Sequence, residues 1–196
     1  ETSPFVLHVR TPDGEARFRA SAVIDSSGTW SQPNPLGANG LRVPGEAALA
    51  RNIEYGMPDV LGAQRSRYAG KRILVVGSGH SAAGNLIALA ELAASAPGTQ
   101  ILWAIRGDSL AKIFGGGDAD GLPARGELGQ RLRQLQQSGR LEVFTNFRID
   151  ELRREGKGIA IYAVSSDTNR PRIGDIDEII ASTGARPNLE MTRELR

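Results

Sequence analysis

The residues with the clearest chemical meaning run Val75-Val76-Gly77-Ser78-Gly79-His80-Ser81-Ala82. Reduced to its small residues this is G-x-G-x-x-A, directly after the apolar run Ile73-Leu74-Val75-Val76 and directly before a stretch with helical spacing. Each small residue has a task in holding a diphosphate. Gly77 permits the tight turn out of a strand, Gly79 has no Cβ and lets an anion reach the backbone, and Ala82 lets the next helix lie close on the sheet. The first N–H groups of that helix have no partner within it and sit at the positive end of its dipole, so an anion is held by both. Ser78 lies between the two glycines. Ser81 can bond a phosphate oxygen or cap the helix. His80 can touch the diphosphate or a nicotinamide, or simply begin the helix as a partly exposed residue. Such a glycine pattern says little in a chain with 24 glycines. Its strand–turn–helix setting is what makes it a dinucleotide signal.

The identity of the dinucleotide is written after the second strand. An acidic residue there bonds the ribose 2′-hydroxyl of NAD, whereas arginine suits the 2′-phosphate of NADP. Here the strand ends Leu102-Trp103-Ala104-Ile105-Arg106-Gly107. Arg106 falls later after Gly79 than the usual spacing of about 20 residues, and the long helix between them absorbs the difference. Its bidentate guanidinium matches a phosphate. Lys112 offers a second cation, while Asp108 speaks for the ribose of NAD. The balance favours NADP(H) over NAD(H).

Several elements must position these groups. Phe5, Leu7 and Val9 alternate with Val6, His8 and Arg10, a strand period, and Pro12-Asp13-Gly14 turns the chain into a return strand over 16–20. A short strand, Ser21-Ala22-Val23-Ile24-Asp25, is expected to run into Ser26-Ser27-Gly28. Residues 29–69 are dense in proline and glycine and read as a loop-rich connector with a short helix near 46–51. From Lys71 the pattern is regular. A buried strand leads to a helix through about Ser95, then to a strand over 100–105. The loop Gly115-Gly116-Gly117 either shapes a substrate site or merely connects. A helix over 126–138, a strand from Leu141 to Phe144, an alternating stretch over 159–165 and a last strand over 176–180 follow. The plan is α/β: a Rossmann-type, doubly wound, mostly parallel sheet with a small antiparallel excursion.

Composition removes other classes. The chain has 196 residues, 40% hydrophobic and 23% charged, near globular averages. It contains no cysteine, so thiol nucleophiles, CxxC pairs and cysteine-ligated metals are excluded, and its two histidines make a histidine-rich metal centre improbable. No apolar run approaches the roughly 20 residues of a membrane span. A formal charge of +2, with Arg and Lys interspersed among Asp and Glu, lacks the one-sided basic face of nucleic-acid binders. The expectations are therefore no metal, no membrane, no nucleic acid and a cytoplasmic location, for want of a signal-peptide pattern. Glu1 in place of Met suggests a chain cut from something longer.

Two further segments repeat one device. Val23-Ile24-Asp25-Ser26-Ser27-Gly28-Thr29 and Asp177-Glu178-Ile179-Ile180-Ala181-Ser182-Thr183-Gly184 are both acidic-flanked apolar stretches ending in small residues and glycine. The second continues to Arg186-Pro187-Asn188 and resembles the D-x-x-x-x-A-T-G-x-R-P-N segment of flavoproteins with two dinucleotide-binding domains. These include flavin-containing monooxygenases and pyridine-nucleotide-dependent disulfide reductases. The resemblance implies a small NAD(P)H domain inserted into an FAD domain, reached and left through the two glycine-ended segments. On that basis 1–35 is a remnant of the FAD domain, 36–69 a linker, 70–184 the NAD(P)H-binding domain and 185–196 the start of the return. It also implies FAD in the full-length protein, hydride transfer from NADPH to FAD, and a small-molecule substrate. Without a cysteine pair in this chain, the monooxygenase-like branch fits better than the disulfide reductases. A reductase serving a partner protein or quinone, or a module that only senses NADP, remain the alternatives. Thr183 and Gly184 are expected at one crossing near the nicotinamide, and Gly28, Thr29 and Trp30 at the other. Trp30 there either stacks on a cofactor or packs between domains. No residue of this chain is assigned a catalytic role.

Overall fold

The computed structural model describes residues 3–111, 113–114, 123–165 and 170–195. Strands β1 (Phe5–Thr11) and β2 (Gly14–Ala20) form an antiparallel hairpin closed at Thr11 and Gly14. A single turn of 3-10 helix leads to β3 (Ile53–Tyr55), and α1 (Arg65–Tyr68) precedes β4 (Arg72–Val76). Then come α2 (His80–Ser95), β5 (Gln100–Ala104), α3 (Pro123–Gln137) and β6 (Leu141–Phe144). Strands β7 (Ile149–Glu155), β8 (Gly158–Ala163) and β9 (Arg172–Ile176) are antiparallel, and β10 (Glu178–Ala181) returns to the main sheet.

That sheet has five parallel strands in the order β3-β10-β4-β5-β6. Because successive strand residues face opposite sides, the apolar run of β4 feeds two cores at once. Ile73 and Val75 face α2 and α3, where Leu86, Leu89, Trp103 and Leu132 complete one core. Leu74 and Val76 face the other way, onto Ile149, Leu152, Ile159, Ile161 and Ile176. The α/β Rossmann-like class holds, and the expected antiparallel excursion is a whole layer. It covers the second face of the parallel sheet, where a doubly wound fold would carry helices. The period-two apolar pattern Ile159-Ile161-Ala163 is what lays a strand, rather than a helix, on that face.

Two parts differ from expectation. Residues 21–28 form no strand; Val23 and Ile24 are exposed, and among the described residues no strand pairs with them. The stretch expected to be a loop-rich connector is woven into the fold. It gives the parallel sheet an edge strand, β3, and buries Leu36, Leu49, Val60 and Tyr68. Its order comes from a hub that hydrophobic patterning does not register. Glu46 is only 2% exposed, and its carboxylate accepts hydrogen bonds from the backbone N–H of Leu36 (3.2 Å) and Val43 (3.0 Å) and from the Tyr55 hydroxyl (2.5 Å). Burial, then the Glu46 carboxylate, pushes the Tyr55 phenol well above its ordinary range.

Replacing Glu46 by Ala leaves two buried N–H groups and the half-buried Tyr55 hydroxyl without this acceptor and should lower stability by on the order of 3 kcal/mol, measured as a shift in denaturant midpoint. Tyr68 provides the opposite case. Its phenol oxygen is buried without a hydrogen-bond partner, and burial pushes its pKa up to about 12 from 10.0. Tyr68→Phe should therefore hold or raise stability. An unfolded tyrosine releases its proton near pH 10 while the folded one keeps it to about 12. Stability consequently falls as pH rises through that window, and less steeply in Tyr68→Phe.

Candidate functional site

The carboxyl ends of the parallel strands open onto a cleft of about 430 Å³. Gly77 turns the chain out of β4 with its N–H on Ala104 O (3.1 Å), while its own carbonyl accepts from the Trp103 indole N–H (2.7 Å). Its φ is 129°, and a Cβ there would lie 2.2 Å from the carbonyl oxygen of Ser182. Only glycine lets the two backbones pass this closely. Gly79 is different. Its φ is −94°, it is the N-cap of α2, and a Cβ would meet nothing within 4 Å. Its bare backbone faces open space, and no side chain caps the helix it begins. The first-turn N–H groups are thus left for an external acceptor.

A buried amide locks the opposite wall. Asn85, on the core-facing side of α2, donates to Gly56 O (2.8 Å) and to Ser182 Oγ (2.9 Å), and Ser182 N–H donates to Val76 O (2.8 Å). The ends of β3, β4 and β10 are thereby tied to one helix. The sequence signal for Asn85 was a lone amide among Ala82, Leu86 and Leu89.

The third wall is a ribbon of two distant segments. Asn34 N–H donates to Gly184 O (2.9 Å), Asn34 Nδ2 to Thr183 O (3.1 Å) and Thr183 Oγ1 to Asn34 O (2.5 Å). Arg186 N–H donates to Gln32 O (2.9 Å), and Pro33 bridges Ala185. Asn34 Oδ1 is left buried and unpartnered beside the cleft.

Of the residues singled out from the sequence, Gly77, Ser78, Gly79, Ser81, Arg106, Thr183 and Gly184 line this cleft together. Ala82 lies beneath, fully buried against the sheet. His80 is exposed at the start of α2, and Gly107 lines an adjoining cavity. Gly28, Thr29 and Trp30 are not among the lining residues, and Trp30 is 85% exposed. Lys112 and Gly115 to Gly117 lie outside the described residues. Sequence reasoning missed Asn34, and quoted Arg186 only as part of the segment 177–188, without assigning it to the site.

Among the described residues, the only charged ones lining the cleft are Arg106 and Arg186. Among the described residues, neither guanidinium has an ion pair or hydrogen bond, and Asp108 does not line the cleft. Bare backbone at Gly79, an uncapped helix start and two unpaired guanidiniums fit a dinucleotide diphosphate. Among the described residues, no group of three or more His, Asp or Glu side chains could hold a metal, and no helix is long and apolar enough to cross a membrane.

No family model and no curated protein matches the sequence. Solved structures do match its fold. Bacillithiol disulfide reductase from Bacillus cereus aligns with a TM-score of 0.64 and 16% identity, covering 97% of this chain and 49% of that one. L-lysine 6-monooxygenase from Pseudomonas syringae gives 0.64 and 18%, covering 95% and 52%. The cadaverine monooxygenase of desferrioxamine biosynthesis from Erwinia amylovora, solved bound to FAD, gives 0.63 and 14%, covering 93% and 50%. The chain thus shares the fold of this disulfide reductase and these two monooxygenases, and spans about half the length of each.

The two glycines should separate on substitution. Gly77→Ala places a methyl against Ser182 O in a left-handed backbone region and should cost upwards of about 2 kcal/mol in thermal or denaturant unfolding. Gly79→Ala meets no atom and should cost less than about 1 kcal/mol.

Proposed function

We propose that this chain is the NADPH-binding part of an FAD-dependent oxidoreductase of monooxygenase-like chemistry. The observation that carries the reading is the bare backbone of Gly79 at the uncapped start of α2, opening into a cleft whose only charges among the described residues are arginines. The Gly77–Ser81 turn would hold the diphosphate through backbone N–H groups and the Ser81 hydroxyl. Arg106, at the end of β5, would take the 2′-phosphate. Thr183 and Gly184 would flank the nicotinamide, where the ribbon of 32–34 and 183–186 closes the cleft. Bound there, NADPH supplies a hydride for the reduction of FAD. The chain's own part is to bind and align, since the cofactors carry the chemistry. This chain has no cysteine to offer a dithiol step, which favours the monooxygenase-like reading over a disulfide reductase.

The test is titration of the full-length protein with NADPH and NADH, followed by nucleotide fluorescence. Arg106→Ala should weaken NADPH about tenfold and leave NADH unchanged, because one charge-assisted contact to the 2′-phosphate is lost. Gly79→Ala should weaken both nucleotides by tenfold or more while lowering the melting temperature by no more than about 4 °C. Failure of either nucleotide to bind at millimolar concentration overturns the reading. Oxygen consumption that depends on NADPH and on an added substrate separates a monooxygenase from a reductase serving a partner or quinone.

A further inference from the structure

Beside the cleft lies a second cavity of about 550 Å³, lined by Ala38, Asn39, Arg106, Gly107 and Arg148. Ala38 and Arg106 line both spaces, so the two adjoin. Arg148 follows β6, far in sequence from the loop after β5, yet the backbone fixes it there. Asn146 N–H donates to Gly107 O (2.6 Å) and Phe147 N–H to Ile105 O (2.9 Å). Arg148 O accepts from Val164 N–H (2.8 Å), and Ile149 O from Ala38 N–H (3.2 Å). Its neighbours Phe147 and Ile149 are buried. The base of this side chain is therefore as firmly placed as a core residue, although the guanidinium is exposed.

The chemistry of the lining is one-sided. Among the described residues, Arg106 and Arg148 have no ion pair or hydrogen bond from their guanidiniums, and no carboxylate of those residues lines the cavity. Asn39 spends its side-chain oxygen on Leu41 N–H (3.0 Å), which leaves its amide donors to offer. Two forked cations and an amide donor without an acidic partner complement a dianion with several acceptor oxygens, such as a phosphate monoester.

We infer that this side cavity takes the 2′-phosphate of NADPH and that Arg148 is its second guanidinium, reaching it from the end of β6 while Arg106 reaches it from the end of β5. The inference rests on the dinucleotide reading above and adds a specificity-determining residue that neighbours no motif. It also supplies the second cation for which the sequence offered only Lys112.

The experiment compares Arg148→Ala and Arg148→Lys with the unmodified full-length protein in titrations with NADPH and NADH, and in competition by 2′,5′-ADP and 5′-AMP. Arg148→Ala should raise the Kd for NADPH and 2′,5′-ADP about tenfold and leave NADH and 5′-AMP unchanged. Arg148→Lys, which keeps the charge and loses the fork, should fall between. If the unmodified protein binds NADPH and Arg148→Ala changes nothing, or weakens NADPH and NADH equally, this inference is overturned and the dinucleotide reading stands. If the unmodified protein binds neither nucleotide, both fall together.

Discussion

At Gly77 and Ser182 two strand ends pass with no side chain between them, and much of the site's geometry depends on that contact. A Cβ on Gly77 would sit 2.2 Å from Ser182 O, inside any tolerable approach. The contact is held from several directions: Ser182 N–H bonds Val76 O, Gly77 N–H bonds Ala104 O, and the Trp103 indole bonds Gly77 O. Asn85 then ties Ser182 to Gly56 from below. The ends of four parallel strands, β3, β4, β5 and β10, and the start of α2 thus converge on one point. The chain leaving β10 emerges beside the glycine turn, and Asn34 meets it there. A cleft with backbone on three sides results, which suits a ligand recognised more by charge and shape than by individual side chains.

Charge is distributed to match. On the outer face of the antiparallel layer, arginines are neutralised in a lattice. Arg170 pairs with Asp150 and Glu151, Arg153 with Glu151, and Arg172 with Glu155, while Arg153 and Arg170 stack over Tyr162 at 5.0 and 5.3 Å. Hydrogen bonds from Arg153 and then Arg170 hold the Glu151 carboxyl below its ordinary range. At the other end of the sheet Arg67 bridges Glu54 and Glu178. Around the cleft the pattern reverses. Arg106, Arg148 and Arg186 face solvent without a carboxylate partner among the described residues. Self-neutralised arginines brace a surface, whereas unneutralised ones raise the local potential for an incoming anion.

What the sequence disclosed follows from how far apart the interacting residues lie. The apolar run of β4, the glycine turn and α2 are consecutive, so their pattern is visible in one window. The final strand was legible for the same reason, although its start moved: Arg172–Ile176 belongs to the antiparallel layer, and Asp177 marks the passage to β10. Residues 36–69 were harder. Proline and glycine hide their order, and the carboxylate that organises them bonds residues on either side of itself in the chain. The stretch 21–25 erred in the opposite sense, since it has strand composition but no paired neighbour. Arg148 and Asn34 carry no local signature at all. Their places depend on backbone contacts across more than one element, which no spacing rule reads.

The ribbon of 32–34 with 183–186 has a consequence of its own. Asn34 and Gly184 are joined by a hydrogen bond of 2.9 Å, so everything between them starts and finishes at one spot. A stretch of chain with coincident ends can be spliced into a surface loop of a host, or lifted out of it, without tugging on either side. The paired backbones run antiparallel, so the chain entering at Gln32 and the chain leaving at Arg186 pass side by side.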